Sequence, residues 1–229
     1  PEQLARTDIA DHALAALRAS LVREVVIVGR RGPLDAALNS PELEELGELD
    51  GVDLVVDPQQ LPDLDQARAS GVEPTALRKL ELLHRYAARP VRPDNRRIVF
   101  RFRESPVAVL GDAQGVCGIC LAANPPGGEA KAGPTIDLEA GLVLRAIGYA
   151  GVALPGLPFD EAERRIPNRD GRITDQSGVL PGHYVAGWAR RGPSGTIGTN
   201  RPDGFGVIEK IAEDLAAGSL GHGGKQGRA

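Results

Sequence analysis

The chain has 229 residues, of which 41% are hydrophobic, and its formal net charge is −4 at pH 7. This apolar content excludes a disordered chain, and no apolar run approaches the roughly 20 residues of a membrane span. The negative charge argues against a nucleic-acid partner, so we expect neither nucleic acid nor a membrane span.

The first third of the chain predicts alternating helices and strands. Asp8 and Asp11 are suited to cap a helix, and the β-branched run at residues 24–28 predicts a strand of a parallel sheet. Ser40, followed by proline, predicts the cap of the next helix. The same patterns predict a strand at residues 52–56 and a helix at residues 74–88.

The middle of the chain has the alternation of antiparallel structure. Residues 97–103 alternate apolar with mostly basic side chains, and apolar runs at 107–110 and 116–121 follow after short turns. These three runs predict an antiparallel meander inserted into an α/β domain. An exposed loop is expected at residues 124–133, and a further strand at residues 141–147.

A glycine-rich stretch at residues 187–200 lies between an expected strand at 183–187 and a helical pattern at 207–215. Its glycines allow a ligand to approach the backbone, and helix-start N–H groups favour negative charge. Trp188, the only tryptophan, lies where a planar ligand can stack. On spacing alone, an ordinary glycine-rich loop is the alternative.

Two arginines follow the first predicted strand directly. In a dinucleotide-binding fold, an arginine at the end of the second strand accommodates the 2′-phosphate of NADP, whereas NAD is met by an acid. Arg30 and Arg31 have no acid between them and the strand. A solvated turn is the alternative. The glycine-rich phosphate loop expected before such a strand does not occur in this sequence.

The two cysteines form a C-x-x-C motif, Cys117 and Cys120, within an expected strand. A redox dithiol is favoured at a helix start, so two ordinary small residues are the preferred interpretation, with a thiol–disulfide flavoprotein as the other. Few cysteines favour a reducing cytoplasm. The four histidines are scattered, and neither a metal site nor a catalytic nucleophile is predicted.

Together these stretches resemble the adrenodoxin reductase-like ferredoxin–NADP reductases, especially the actinobacterial type. The matching segments are residues 4–14, 25–34, 148–149, 155–160 and 188–200. The resemblance implies an α/β chain: an incomplete NADP-binding dinucleotide fold with an inserted antiparallel meander, followed by the C-terminal part of an FAD-binding dinucleotide fold. We expect the first domain at residues 1–148, the second at 149–217, and a flexible tail at 218–229.

The resemblance also implies roles for individual residues. Those matching the NADP site are Arg30 and Arg31, at the 2′-phosphate, and Glu42, the acid near the same nucleotide. Those matching the flavin site are Trp188, Gly195, Thr196 and Ile197, of which Gly195 also borders the nicotinamide.

The implied activity is that of a flavoprotein oxidoreductase that transfers electrons from NADPH through FAD to a ferredoxin-type iron–sulfur protein. No side chain of this chain is assigned as a catalytic base or nucleophile. The family's N-terminal FAD segment does not occur in this sequence, so the chain resembles the C-terminal half of such a reductase. A separate chain that carries the N-terminal half is one partner that this resemblance allows. The alternative is a non-catalytic fragment or weak nucleotide-binding module that cannot hold FAD alone.

Overall fold

The computed structural model of the chain describes residues 1–125, 134–195 and 197–220. Most of the loop expected at 124–133, the residue Thr196 and the tail from 221 lie outside the described residues. The helices are α1 Asp11–Arg18, α2 Ser40–Gly47, α3 Leu64–Ala69, α4 Pro74–Ala87, α5 Trp188–Arg191 and α6 Ile197–Ala216. The strands are β1 Glu24–Gly29, β2 Val52–Val56, β3 Arg96–Phe102, β4 Glu104–Asp112, β5 Gly115–Ala123, β6 Thr135–Glu139, β7 Asn168–Arg169, β8 Arg172–Asp175 and β9 Gly178–Tyr184.

The chain forms two compact units, Pro1–Leu144 and Arg145–Ala229. The first unit contains a parallel sheet in the order β1-β3-β2 and an antiparallel sheet in the order β4-β5-β6. The second contains the antiparallel sheet β7-β8-β9. This mixture of a parallel sheet with helices and an antiparallel meander is the expected α/β class.

The run at residues 97–103 was predicted to belong to the meander, and this was wrong. It forms β3, the central strand of the parallel sheet. Ile98 of β3 is the register partner of Val25 in β1 on one side and of Leu54 in β2 on the other. Alternation reports which side chains of a strand are buried and carries no information about the partner strand. The meander begins at Glu104, with β4, and ends with β6. The sequence patterns did not predict β6.

Residues 141–147 were predicted to form a strand, and they form none. The apolar side chains of Leu142, Leu144 and Ile147 are 67%, 78% and 80% exposed. A strand exists only when its backbone pairs with a neighbour, and no described strand pairs with this segment.

Helix α1 begins without the carboxylate cap that was predicted. Its N-cap is Ala10, which has no side chain to accept a hydrogen bond, and the helix buries no residue. At α2 the cap is Asn39 rather than Ser40, since the Asn39 side chain accepts from the Glu42 N–H at 2.9 Å. The strand expected at residues 183–187 ends at Tyr184, and α6 begins at Ile197 with Pro202 inside it.

The core of the first unit lies on one face of the parallel sheet. Phe100 and Phe102 of β3 are buried, as their alternation predicts, beneath α2 and α4. Tyr86 of α4 donates a hydrogen bond to the Leu43 carbonyl of α2 at 2.8 Å, so the two covering helices are joined within that core. The second unit has a smaller core, built on Ile166, Ile173 and Val185.

Candidate functional site

Arg30 and Arg31 lie in the turn after β1, at the carboxyl end of the parallel sheet. Both are held through their backbone carbonyls: the Asn124 amide donates to the Arg30 carbonyl at 2.8 Å, and the Arg103 N–H donates to the Arg31 carbonyl at 3.1 Å. The two arginine side chains are exposed. A fixed backbone therefore presents two guanidinium groups to solvent, an arrangement that suits a phosphate ligand.

The loop after this turn is fixed by Lys79 of α4. The Lys79 ammonium is buried and donates to the Leu34 carbonyl at 2.9 Å and to the Ala36 carbonyl at 2.6 Å. Burial lowers the pKa of Lys79, and the negative charge of Asp35 opposes that shift. The segment that connects the arginine turn to α2 is thus attached to the covering helix.

Glu42 lies at the far end of this loop, in the first turn of α2, and is exposed. Its backbone N–H is occupied by the Asn39 cap. A carboxylate in a first helical turn is stabilised by the helix dipole. The structure therefore places Glu42 at a helix start, while the arginine pair lies at a strand end.

In the second unit, Trp188 opens the short helix α5. It is 45% exposed, and its ring lies 5.7 Å from the ring of Tyr149, centroid to centroid, at an interplanar angle of 32°. The preceding Gly187 has φ of +66°, a conformation that glycine adopts without strain. The result is an exposed aromatic pair at the beginning of the glycine-rich stretch.

Asp203 of α6 holds the entry to that stretch. Its buried carboxylate accepts a hydrogen bond from the Gly187 N–H and pairs with the Arg190 guanidinium at 2.6 Å. Burial raises the pKa of Asp203, but the Gly187 and Arg190 hydrogen bonds and the charges of Arg190 and Arg191 outweigh it, so the pKa is lowered overall. Asp203 therefore stays ionised and joins α5 to α6.

Arg191 organises the loop itself. Its guanidinium donates to the Ser194 carbonyl, to the Thr199 hydroxyl at 3.1 Å and to the Asn200 amide oxygen at 2.5 Å. Gly195 has φ of +81°, and a Cβ there would collide with the Thr199 side chain. The close approach of the loop to α6 thus requires glycine at position 195. Thr196 lies outside the described residues, and Ile197 is the first residue of α6.

A second ion pair attaches α6 to the sheet of its unit. Arg172 of β8 forms two hydrogen bonds of 2.7 Å with Asp214, which also accepts from the Tyr184 hydroxyl at 2.6 Å. The hydrogen bonds from Arg172 and then Tyr184 lower the pKa of Asp214 to about 2. Together with Asp203, this pair holds α6 against the elements that precede it.

The placement of the two cysteines in a strand does not favour a redox dithiol. Both are free, Cys117 exposed and Cys120 half-buried, and both lie in β5. A hydrogen bond with Asp137, together with burial, raises the pKa of Cys120, which disfavours the thiolate that redox exchange requires. The described ranges contain no group of three or more His, Cys, Asp or Glu side chains able to hold a metal ion.

Sequence reasoning missed the residues that hold the two sites. Asn124, Arg103 and Lys79 act on the arginine turn from other elements, and Asp203 acts on the glycine-rich stretch from α6. No local pattern distinguished Asp203, because α6 carries several other polar and charged residues. The other contacts span 43 to 94 residues of sequence, beyond any local pattern.

Comparison with known proteins gives a consistent set of relatives. The chain is 45% identical over 222 residues to "NADPH-ferredoxin reductase FprA" of Mycobacterium tuberculosis strain H37Rv, covering 94% of this chain and 48% of that protein. It is 39% identical to the mitochondrial "NADPH:adrenodoxin oxidoreductase" of Mus musculus, covering 99% of this chain and 48% of the relative. No protein-family model matches.

A solved structure agrees with these relatives. M. tuberculosis FprA in complex with NADPH superposes with a TM-score of 0.82 at 44% identity, covering 95% of this chain and 48% of that chain. The fold expected from the sequence is therefore confirmed as the α/β fold of this reductase. The chain spans about half the length of the curated relatives that it matches. Among its described residues, every helix is too short or too polar to cross a membrane.

Proposed function

From its homology to the adrenodoxin reductase-like ferredoxin–NADP reductases, over nearly all of this chain and about half of theirs, we propose that the chain is part of such a reductase. The proposed activity is electron transfer from NADPH, through FAD, to a ferredoxin-type iron–sulfur protein. The observation that carries the proposal is the exposed pair Arg30 and Arg31 at the end of a parallel strand. The backbone carbonyls of both residues accept hydrogen bonds that hold the turn in place.

The first unit is proposed to bind NADP(H), with residues 1–148 as its domain. The 2′-phosphate carries up to two negative charges, and a guanidinium meets a phosphate through two parallel hydrogen bonds. Arg30 and Arg31 are proposed to bind that group. Glu42, at the start of α2, is proposed to lie near the same nucleotide. Its negative charge would repel a phosphate group of the nucleotide placed beside it, and so would favour binding of the 2′-phosphate at the arginine pair.

The second unit is proposed to supply one wall of the FAD site, with residues 149–217 as its domain. When bound, FAD accepts a hydride and passes electrons on singly. The residues proposed to contact it are Trp188, Gly195, Thr196 and Ile197. The fit rests on the exposed Trp188 ring and on the beginning of α6, where N–H groups without intrahelical partners favour negative charge on a ligand.

The residues of this chain perform positioning rather than proton transfer in this proposal. Gly195 keeps the loop free of a side chain beside α6, and Arg191 holds the loop in one conformation. Asp203 fixes the backbone of Gly187 and so orients Trp188. No nucleophile or general base is assigned, because the reacting atoms belong to the two cofactors.

The proposed partner is a ferredoxin-type electron carrier, and the unmatched half of the reductase, on the same or another chain, is the proposed source of the rest of the FAD site. The proposed location is the cytoplasm, because both cysteines carry free thiols and such thiols persist in a reducing compartment.

A second candidate function is a nucleotide-binding module that does not hold FAD alone. The observation that favours it is the exposed apolar segment at residues 142–154, which includes Leu142, Ile147 and Val152 at 67%, 80% and 77% exposure. Exposed apolar surface of this kind favours association with another polypeptide or aggregation. Soluble purified chain with a bound-flavin absorption band would contradict this second candidate.

The proposed function is tested in a reductase completed with the half of M. tuberculosis FprA that this chain does not span. Ferredoxin-dependent cytochrome reduction is measured with NADPH and with NADH. Arg30→Ala with Arg31→Ala should lower kcat/KM for NADPH by roughly 100-fold and leave NADH nearly unchanged, since only NADPH carries the 2′-phosphate.

The matched control removes two exposed arginines elsewhere, by Arg6→Ala and Arg169→Ala, and should leave the preference for NADPH unchanged. Retention of the full NADPH preference by the Arg30 and Arg31 double variant would contradict the proposed function.

A further inference from the structure

Arg103 lies at the same end of the parallel sheet as the arginine pair. Gly29 of β1 is the register partner of Phe102 of β3, so the residue after each strand, Arg30 and Arg103, leaves the sheet at neighbouring positions. The Arg103 guanidinium lies over Gly32: a Cβ on that glycine would be 3.2 Å from Nε and 3.4 Å from Nη2. Three arginines are therefore grouped around one turn.

The backbone of Arg103 is held in an uncommon conformation. Its φ is +57°, in the left-handed region, where residues other than glycine are rarely found. Two hydrogen bonds maintain it: the Arg103 N–H donates to the Arg31 carbonyl at 3.1 Å, and the Asn124 N–H donates to the Arg103 carbonyl at 2.6 Å. Strained residues that persist in this way cluster at ligand-binding sites, since the surrounding structure must compensate for them.

The Arg103 side chain has no carboxylate partner among the residues that the structure describes. The nearest acid in sequence, Glu104, is committed to Arg101, with hydrogen bonds of 2.6 and 2.8 Å to Nε and Nη2. Since half-buried Arg103 pairs with no carboxylate of the described residues, it can attract an external anion, and that attraction is screened less than at a fully exposed site.

We propose that Arg103 is a third cationic residue of the 2′-phosphate site and helps to select the phosphorylated over the unphosphorylated adenosine ribose. This inference rests on the nucleotide function proposed above. The hydrogen bonds from Arg103 to Arg31 and from Asn124 to Arg103 and Arg30 join the three arginines into one rigid turn.

The test uses the reductase completed with the other half of M. tuberculosis FprA and calorimetric titration with adenosine 2′,5′-bisphosphate, with AMP as the ligand that lacks the 2′-phosphate. Arg103→Gly removes the guanidinium at a position where glycine is unstrained, so loss of folding is not the expected cause of any change. Its thermal midpoint should equal or exceed that of the unsubstituted chain. Arg103→Lys keeps the charge, and Arg6→Ala removes an exposed arginine elsewhere in the same unit.

Arg103→Gly should weaken binding of the bisphosphate about tenfold, the effect typical of one charge-assisted hydrogen bond, and leave AMP binding within about twofold. Arg103→Lys should lose about threefold, because a lysine does not form the paired hydrogen bonds of a guanidinium. Arg6→Ala should bind both ligands as the unsubstituted chain does.

Unchanged bisphosphate binding by Arg103→Gly would overturn the inference, and so would an equal loss for both ligands. The proposed function fails separately: it is contradicted if the unsubstituted completed reductase shows no preference for the bisphosphate, or if Arg30→Ala with Arg31→Ala leaves that preference intact. A preference that the double variant abolishes and Arg103→Gly leaves unchanged would remove only the role of Arg103.

Discussion

Replacing Asp203 by asparagine tests whether this carboxylate holds the glycine-rich stretch in place. One carboxylate oxygen of Asp203 accepts from the Gly187 N–H and the other faces the Arg190 guanidinium at 2.6 Å. An asparagine has one oxygen and one NH₂ group in those places, so one of the two donors faces another donor. Asp203→Asn should therefore destabilise the second unit.

The magnitude follows from the two contacts. Leaving one buried donor without an acceptor costs about 1–3 kcal/mol, and removing the counter-ion of a partly buried guanidinium adds to that cost. We expect a total loss of about 3 kcal/mol in the free energy of unfolding, which is large beside the roughly 5–15 kcal/mol that stabilises a typical domain. The core of this unit is small, so little else compensates.

The assay is urea unfolding followed by tryptophan fluorescence. Trp188 is the only tryptophan and directly follows Gly187, so its emission reports on the segment that Asp203 holds. The matched control, Glu161→Gln, removes a carboxylate that is 73% exposed and paired with Arg164, and it should cost less than about 0.5 kcal/mol.

The pH dependence provides a second check. The pKa of Asp203 is lowered in the folded chain, so its contribution to stability is present above the unfolded pKa, about 3.9, and is lost as pH falls through the lower folded value. The difference between Asp203→Asn and the unsubstituted chain should narrow below about pH 4. A loss no larger than that of Glu161→Gln at pH 7 would refute this account of Asp203.

Two further predictions concern the same unit. Asp214→Asn should remove an acid-sensitive part of stability: the Asp214 pKa of about 2 lies below its unfolded value, so the ionised carboxylate stabilises fully above about pH 4 and this contribution is lost toward pH 2. Far-UV circular dichroism during acid titration measures it, and an unchanged acid midpoint in the variant would exclude that role. Gly195→Ala, at φ of +81° and against the Thr199 side chain, should displace the loop and weaken flavin retention in the completed reductase about tenfold or more. Retention equal to that of the unsubstituted protein, measured from the flavin absorbance after gel filtration, would contradict the requirement for glycine.

Local patterns predicted several elements well. The strand at residues 52–56 coincides with β2, and the helix predicted at 74–88 is α4 apart from its last residue. The strand predicted at 24–28 is one residue shorter than β1, which ends at Gly29. The prediction correctly placed Arg30 and Arg31 directly after a strand of the parallel sheet. These predictions succeeded because β-branched runs and helical periodicity are properties of neighbouring residues, which determine the local backbone and the side that is buried.

Pairing between strands could not be obtained in this way. Residues 97–103 and 141–147 have similar apolar content, yet the first forms the central strand of a parallel sheet and the second forms no strand. Their difference is that β1 and β2 lie on either side of β3, whereas no described strand lies beside residues 141–147. Strand formation depends on a partner that is distant in sequence.

The sequence predicted the residue types at the two candidate sites: an arginine pair after a strand, and glycines with one tryptophan before a helix. It did not predict the side chains that hold these sites in place, because those contacts join residues far apart in sequence. Asn124 meets the Arg30 carbonyl across 94 residues, and Asp203 meets Gly187 across 16 residues. Backbone carbonyls, and the N–H groups of every residue type except proline, are alike, so the identity of a residue does not indicate which distant side chain will bind its backbone. Folding brings these groups together, and it thereby determines how firmly each site is held.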